Sequence, residues 1–486
     1  MQYITILAGK NTNYSAFIKK ILQKQDNVCI KFFDRTYYFQ NKILHKNDGA
    51  AVQYFYNNQV EKEEYYIDGS LHRENKPAVI CYKKNHVIEE FYYLNGLLHR
   101  EGFPAIVSYY DNGNPKSYQY YHFGNSTRIA GPAKINFFPN GIIQSERYYT
   151  NNVRHRKGKP AEISYYQSGK VMSHTYVHNG KEHRKNGPAT ISYYENGKVA
   201  QERYLQNGEH CRKNAPSLIN YFYNGKIKST HYIIKDNRLH RKDGPAYTSY
   251  YINGKIDAES YYVDHRLHRK DAPAVRGFSR KGQLLHEAYY VDNKMHRLNE
   301  PACTEYFSNG KLKHKVYMVD GEHHNDNGPA VEQYYPSGNT KEITYYVNGE
   351  MINKNGYELV SYFRNGNKRK VMKLHDKSMA SEQPYLVYYN QDGTVQKRMY
   401  GYLNGIYSNW QSVTLHRVGG PAQQIYYKNN KLRFERYYID GKWHNENGPA
   451  LIYYLPEGGM KGAYCLNGKK IKQKTFDKKM KTKIYW

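Results

Sequence analysis

The chain of 486 residues carries 73 Lys and Arg against 43 Asp and Glu, a formal net charge of +30, and its mean hydropathy is −0.93. Tyrosine supplies 56 residues against 16 Phe and 3 Trp; this excludes an ordinary aliphatic core and suits a thin structure, where rings pack inward and hydroxyls reach water. A charge so one-sided bears on partners, whether nucleic acid, acidic membrane or acidic protein, and not on fold.

Residues 1–36 read as an N-terminal cap, because the end of a repeat array must be blocked. Within it NTNYSAFIKKILQKQDN (Asn11–Asn27) predicts one short helix between two apolar stretches. From about Tyr37 to Gly468 a single phrase recurs. Its anchor is the proline of GPA, at Pro77, Pro104, Pro132, Pro160, Pro188, Pro216, Pro245, Pro273, Pro301 and Pro329, spaced 27 to 29 residues apart. The anchor returns at Pro384, Pro421 and Pro449, and Ala50 and Tyr357 hold its place in two further units, making fifteen.

Five residues past the anchor every unit has an aromatic, as in Phe55, Tyr82, Tyr193, Tyr250 and Tyr454. About eleven residues later comes a second, as in Tyr148, Tyr176, Tyr204, Tyr261 and Tyr289. Between them lies a turn: YYENGK at Tyr193–Lys198, YYINGK at Tyr250–Lys255, YFSNGK at Tyr306–Lys311. Asn-Gly flanked by alternating β-formers predicts a hairpin, since both residues tolerate positive φ. In PATISYY, Ala189, Ile191 and Tyr193 alternate with Thr190, Ser192 and Tyr194, the period of a half-buried strand that proline opens. A second turn, Asn207-Gly208 or Asp320-Gly321, leads through LHRxxGPA to the next unit.

The expected fold is all-β, an elongated twisted array of about fifteen antiparallel hairpins over 37–468, irregular around 350–416, behind a small α/β cap. Residues 469–486 hold eight lysines and read as a frayed basic tail, with Phe476, Tyr485 and Trp486 able to let part of it dock.

The most regular polar feature is an HR pair before each anchor. The histidines are His45, His72, His99, His155, His183, His240, His268, His296, His324, His416 and His444. The arginines are Arg73, Arg100, Arg128, Arg156, Arg184, Arg212, Arg241, Arg269, Arg297 and Arg417. One reading is a basic stripe with a charge about every 10 Å along the array, suited to a polyanion or acidic lipid. The other, favoured because such strict positions usually serve the unit's own fold, is internal wiring. There the imidazole holds the turn, and Arg pairs with a strand glutamate such as Glu64, Glu146, Glu202, Glu259, Glu287 or Glu435. Successive histidines lie too far apart to share a metal ion. Of the two tyrosine rows, one is expected in a thin core and the other along a surface.

NGKEHRKNGPATISYYENGK (Asn179–Lys198) resembles the MORN repeat, in particular the longer variant repeats of bacterial antitoxin-like proteins and of large DNA viruses. The resemblance covers roughly 37–468, although the unit is about five residues longer than the usual repeat and carries Pro-Ala where that repeat favours glycine. It implies a grooved antiparallel sheet used for scaffolding, protein contact or attachment to acidic lipid, and no chemistry of its own.

No P-loop, GxGxxG, HExxH or GxSxG stands in a suitable context, so a non-enzyme without cofactor, metal or small-molecule substrate is expected. Cys29, Cys81, Cys211, Cys303 and Cys465 are odd in number and lack CxxC, which argues against a disulfide framework or structural zinc and for a reducing compartment. With no basic-then-apolar leader and no long apolar run, a soluble intracellular protein, cytoplasmic in its host or producing cell, is expected. The expected function is a scaffold that presents a basic, tyrosine-rich surface to a protein partner, in a viral setting or elsewhere. The alternatives are sequence-nonspecific nucleic-acid binding, acidic-membrane attachment, and an antitoxin-like immunity protein.

Overall fold

The computed structural model describes residues 2–6, 14–212, 214–354, 356–373, 378, 380–403 and 413–483. They divide into two compact units, 1–238 and 239–486.

The first unit opens with a parallel pair, Gln2–Thr5 beside Val28–Lys31, joined through the helix Tyr14–Leu22. Tyr14, Ile18, Ile21 and Leu22 fall at i, i+4, i+7 and i+8, one helical stripe, and pack on Val28, Ile30, Phe32 and Phe39. The helix predicted from Asn11 begins at Tyr14 among the described residues; residues 11–13 lie outside them. Arg35–Gln40 pairs with Val28–Lys31 on one side and Val52–Tyr56 on the other, so the cap feeds directly into the first hairpin.

From there each repeat in this unit is an antiparallel hairpin. In the specimen repeat, Thr190–Tyr193 pairs with Val199–Arg203 in the register Thr190↔Arg203, Ile191↔Glu202, Ser192↔Gln201. The return strand then pairs with the next outgoing one, Glu202↔Ile219, and the pattern continues. The second unit repeats it: Cys303–Tyr306 pairs with Leu312–Val316, which pairs with Val331–Tyr334. Between these sheet hairpins sit small ones that the sequence reading treated as bare turns, such as Leu205–Gln206 with Glu209–His210.

The two Asx-Gly turns differ in kind. In YENGK the N–H of Gly197 bonds the Tyr194 carbonyl at 2.8 Å, only Gly197 has positive φ (84°), and the Asn196 Oδ1 accepts the Lys198 N–H at 2.9 Å. That is a three-residue loop closed by a left-handed glycine, and a register shift follows at Ser192/Tyr193. The expectation of positive φ at both residues holds instead for the second turn, where Asn207 has φ 52° and Gly208 84°.

The tightest place is the alanine after the anchor proline. Ala78, Ala161, Ala189, Ala246, Ala274, Ala302, Ala330, Ala422 and Ala450 are fully buried at 0% exposure. Ala189 donates its N–H to the Arg203 carbonyl at 2.7 Å and accepts from the Tyr176 N–H at 2.7 Å, so it is clamped between two return strands.

The C-terminal stretch read as a frayed basic tail is ordered. Lys469–Ile471 pairs with Met460–Leu466, and Gln473–Lys483 forms a helix. Phe476 supplies the reason: it is 5% exposed, with its ring 4.9 Å from that of Tyr464. Tyr485 and Trp486 lie outside the described residues. Among the described residues no helix is long and apolar enough to cross a membrane.

Candidate functional site

The loop carrying the HR pair is held from both sides. All eleven histidines place Nδ1 3.0–3.4 Å from a backbone N–H in the next repeat's small turn. His183 receives Asn207, His240 receives Asp264 and His444 receives Asn467, each at the left-handed first residue of the turn. Accepting the N–H requires the tautomer with its hydrogen on Nε2, while at His72, His183 and His324 the turn asparagine's Oδ1, 2.8–3.0 Å from the same nitrogen, would take a hydrogen placed on Nδ1. Where the turn residue is Asp, as at Asp264 or Asp320, its carboxylate stands 3.1 or 3.0 Å from the same nitrogen, and a protonated ring exchanges the amide contact for an ion pair.

The arginines sit over the second tyrosine row. Arg73 covers Tyr65, Arg100 Tyr92, Arg128 Tyr120, Arg156 Tyr148, Arg184 Tyr176, Arg212 Tyr204, Arg269 Tyr261, Arg297 Tyr289 and Arg417 Tyr400, at 3.6–4.0 Å from guanidinium carbon to ring centre. Most also donate to the carbonyl of their own anchor proline: Arg184 to Pro188 at 3.3 Å, Arg212 to Pro216 at 3.0 Å, Arg241 to Pro245 at 3.3 Å. Where Asn replaces Arg before a proline anchor, the amide makes the same bond, Asn325 to Pro329 and Asn445 to Pro449, both at 2.9 Å. A neutral substitute at the same carbonyl points to a positional role for this residue.

The expected Arg–Glu pairing is therefore corrected. The strand glutamates take tyrosine hydroxyls instead: Tyr165 donates to Glu146 at 2.9 Å, Tyr221 to Glu202 at 2.9 Å and Tyr454 to Glu435 at 2.7 Å. Glu64 receives Tyr54 and Lys62, and Glu259 pairs with Arg276, a strand residue outside the HR set. Burial first, then the bond to the carboxylate, pushes Tyr165, Tyr221 and Tyr454 well above the usual phenol range. The tyrosine next in sequence staples repeat to repeat, Tyr166 to the Tyr193 carbonyl at 2.6 Å and Tyr194 to the Tyr221 carbonyl at 2.7 Å.

The exposed cation is one position further on. Lys157, Lys185, Lys242 and Lys270 follow an HR arginine and face solvent, on a loop fixed by the bonds above. In the second unit two such loops border an open pocket of about 430 Å³ lined by Arg241, Lys242, His268, Arg269 and Lys270, with Asp243 the acidic member. The lysine escaped the sequence reading because it is absent from several repeats, although its offset from the anchor is constant where present.

Residues 189–207 and 330–348 each begin at the clamped alanine and end at the first residue of the small turn. Both match a family model. It is the MORN repeat variant. No curated protein matches the chain. Among solved structures, the chain aligns with TcdB2-TccC3-TEV at 11% identity over 90% of its own length, TM-score 0.12, and with TcdB2-TccC3 at 10% over 91%, TM-score 0.11. It spans only 28% and 30% of those chains.

Proposed function

We propose that this chain is a non-catalytic MORN-like repeat scaffold that holds out a basic, tyrosine-backed surface to an acidic macromolecular partner, a protein. The observation that supports it most is the division of labour in the loop. Histidine, arginine and tyrosine bind their own repeat and its neighbour, while Lys157, Lys185, Lys242 and Lys270 stay exposed beside them. Cations on a fixed loop keep their spacing without further ordering on binding, which lowers the entropic cost of association with a partner of matching charge. The antitoxin-like or viral setting rests on the resemblance of the repeat alone.

Affinity capture of the full chain from its native source, with and without nuclease, tests the reading. A protein retained after nuclease and released by Lys157→Glu, Lys185→Glu, Lys242→Glu and Lys270→Glu together is the expected result. Capture that collapses on nuclease treatment, with an affinity falling steeply with salt, assigns the surface to nucleic acid. Sedimentation with anionic but not neutral vesicles assigns it to membrane.

A further inference from the structure

Cross-strand register in the second unit places His286 opposite Glu305, and Glu305 opposite His314, in one row on one face of the sheet. Two residues before Glu305 on the same strand, Cys303 shares that face. Its Sγ lies 3.9 Å from Nδ1 of His286, and the ligand-type atoms of His286, Cys303 and Glu305 all fall within 4.8 Å of one another. We propose that His286, Cys303 and Glu305 form a binding site for a late first-row divalent cation of the zinc class.

The donor set decides the class. One imidazole, one thiol and one carboxylate suit a borderline ion, and hard calcium or magnesium prefers oxygen alone. Tetrahedral bonds of about 2.0 Å to nitrogen and about 2.3 Å to sulfur set those two atoms roughly 3.5 Å apart, so this pair needs movement of only tenths of an ångström to share an ion. Cys303 is 7% exposed and packs with Ala288 and Val316, which gives the site a dry wall. Glu305 is anchored on the strand by Lys313, whose Nζ lies 2.9 Å from its Oε2. Beside the cluster, the buried Nε2 of His314 has no hydrogen-bond partner among the described residues. Three protein donors leave a fourth position for water or another ligand. The thiol proton leaves to solvent as the sulfur–metal bond forms.

The row is distinct from the HR histidines, whose Nδ1 is occupied. A second group, His99, Glu101 and His122, contains no sulfur, and His99 already accepts the Phe123 N–H. That difference gives the test its resolution. The full chain, stripped with chelator, is titrated with cobalt chloride and followed by absorption. The expected result is a thiolate-to-cobalt charge-transfer band saturating at one ion per chain and bleached by zinc. Cys303→Ser removes the band, and His286→Gln weakens affinity by more than the about 10–100-fold that loss of an outer partner costs. Circular dichroism of the metal-free variants shows that they fold. Should Cys303→Ser misfold, the half-buried His286→Gln decides alone. No sulfur band in the unsubstituted chain, a band that survives Cys303→Ser, or unchanged affinity in His286→Gln overturns the proposal.

Discussion

Two neighbouring repeats of the second unit show which parts of the phrase hold the sheet and which hold the loop. In the repeat anchored by Pro329, Ala330 is fully buried and accepts the Tyr317 N–H at 2.8 Å, while His324 receives the Asn348 N–H at 3.3 Å. In the next repeat the corresponding residues are Tyr357, Glu358 and Ile352. The backbone frame is retained: Tyr345 N–H bonds the Glu358 carbonyl at 2.9 Å, and Ile352 N–H bonds the Tyr345 carbonyl at 3.2 Å, as His324 N–H bonds Tyr317 at 3.1 Å. The turn glycine is retained too, Gly366 with φ 88°. What has gone is the imidazole, the anchor proline and the alanine, while the arginine position holds an asparagine in both, Asn325 and Asn353. Strand pattern and turn are thus enough for the hairpin, and the repeated polar residues act one level higher, on how each loop is fixed to the next repeat.

Exchanging residues between these repeats breaks the comparison most sharply. Ala330→Glu puts into the regular slot the residue that the irregular one holds at 2% exposure in its own surroundings. A carboxylate forced between two return strands is expected to cost about 3 kcal/mol or more, read as a lowered urea midpoint. A midpoint unchanged within error means that the slot is roomier than the buried alanines indicate.

Arg269→Ala ranks next. It removes a ring stack at 3.9 Å and a bond to Pro273 at 3.2 Å, at an expected cost of about 1 kcal/mol. Arg269→Asn recovers part of it, because Asn325 and Asn445 make the same bond in their own repeats. Equal losses for Ala and Asn would show that the ring stack alone matters.

Acid gives the smallest effect per residue. Burial lowers the affinity of His174, His210 and His231 for a proton. A base whose folded pKa is depressed contributes stability that is present above its ordinary range and lost as pH falls through that range toward the folded value. The thermal midpoint is therefore expected to drop between about pH 7 and about pH 5, and His174→Gln and His231→Gln to flatten that drop. A profile unaltered by the substitutions contradicts this.

Much of the fold was legible because three local signals agree in each repeat: period-two alternation, an Asx-Gly turn and a constant spacing of about 28 residues. The histidine's role at the turn was legible in kind, yet its partner lies 23 or 24 residues ahead, a relation set by strand register and invisible to local pattern. The arginine was assigned to glutamate because sequence displays charge more plainly than ring adjacency. A usable signal was there all the same, in the constant eight-residue step from Tyr65 to Arg73, Tyr92 to Arg100 and Tyr176 to Arg184. His286, Cys303 and Glu305 could be brought together only once the register was known. Phe476 was legible as a residue able to dock the C-terminal stretch, but the helix around it was not, because the lysines beside it read as solvated.

The tie between successive repeats has a direct readout in amide hydrogen exchange. The Asn207 N–H belongs to one repeat and is accepted by His183 of the repeat before it, at 3.1 Å. Comparing the unsubstituted chain with His183→Ala by mass spectrometry, the expected result is faster exchange in the peptide covering residues 205–210 and unchanged exchange in the turns of distant repeats. Exchange at 205–210 that does not respond to loss of the imidazole would contradict the claim that these histidines hold one repeat to the next.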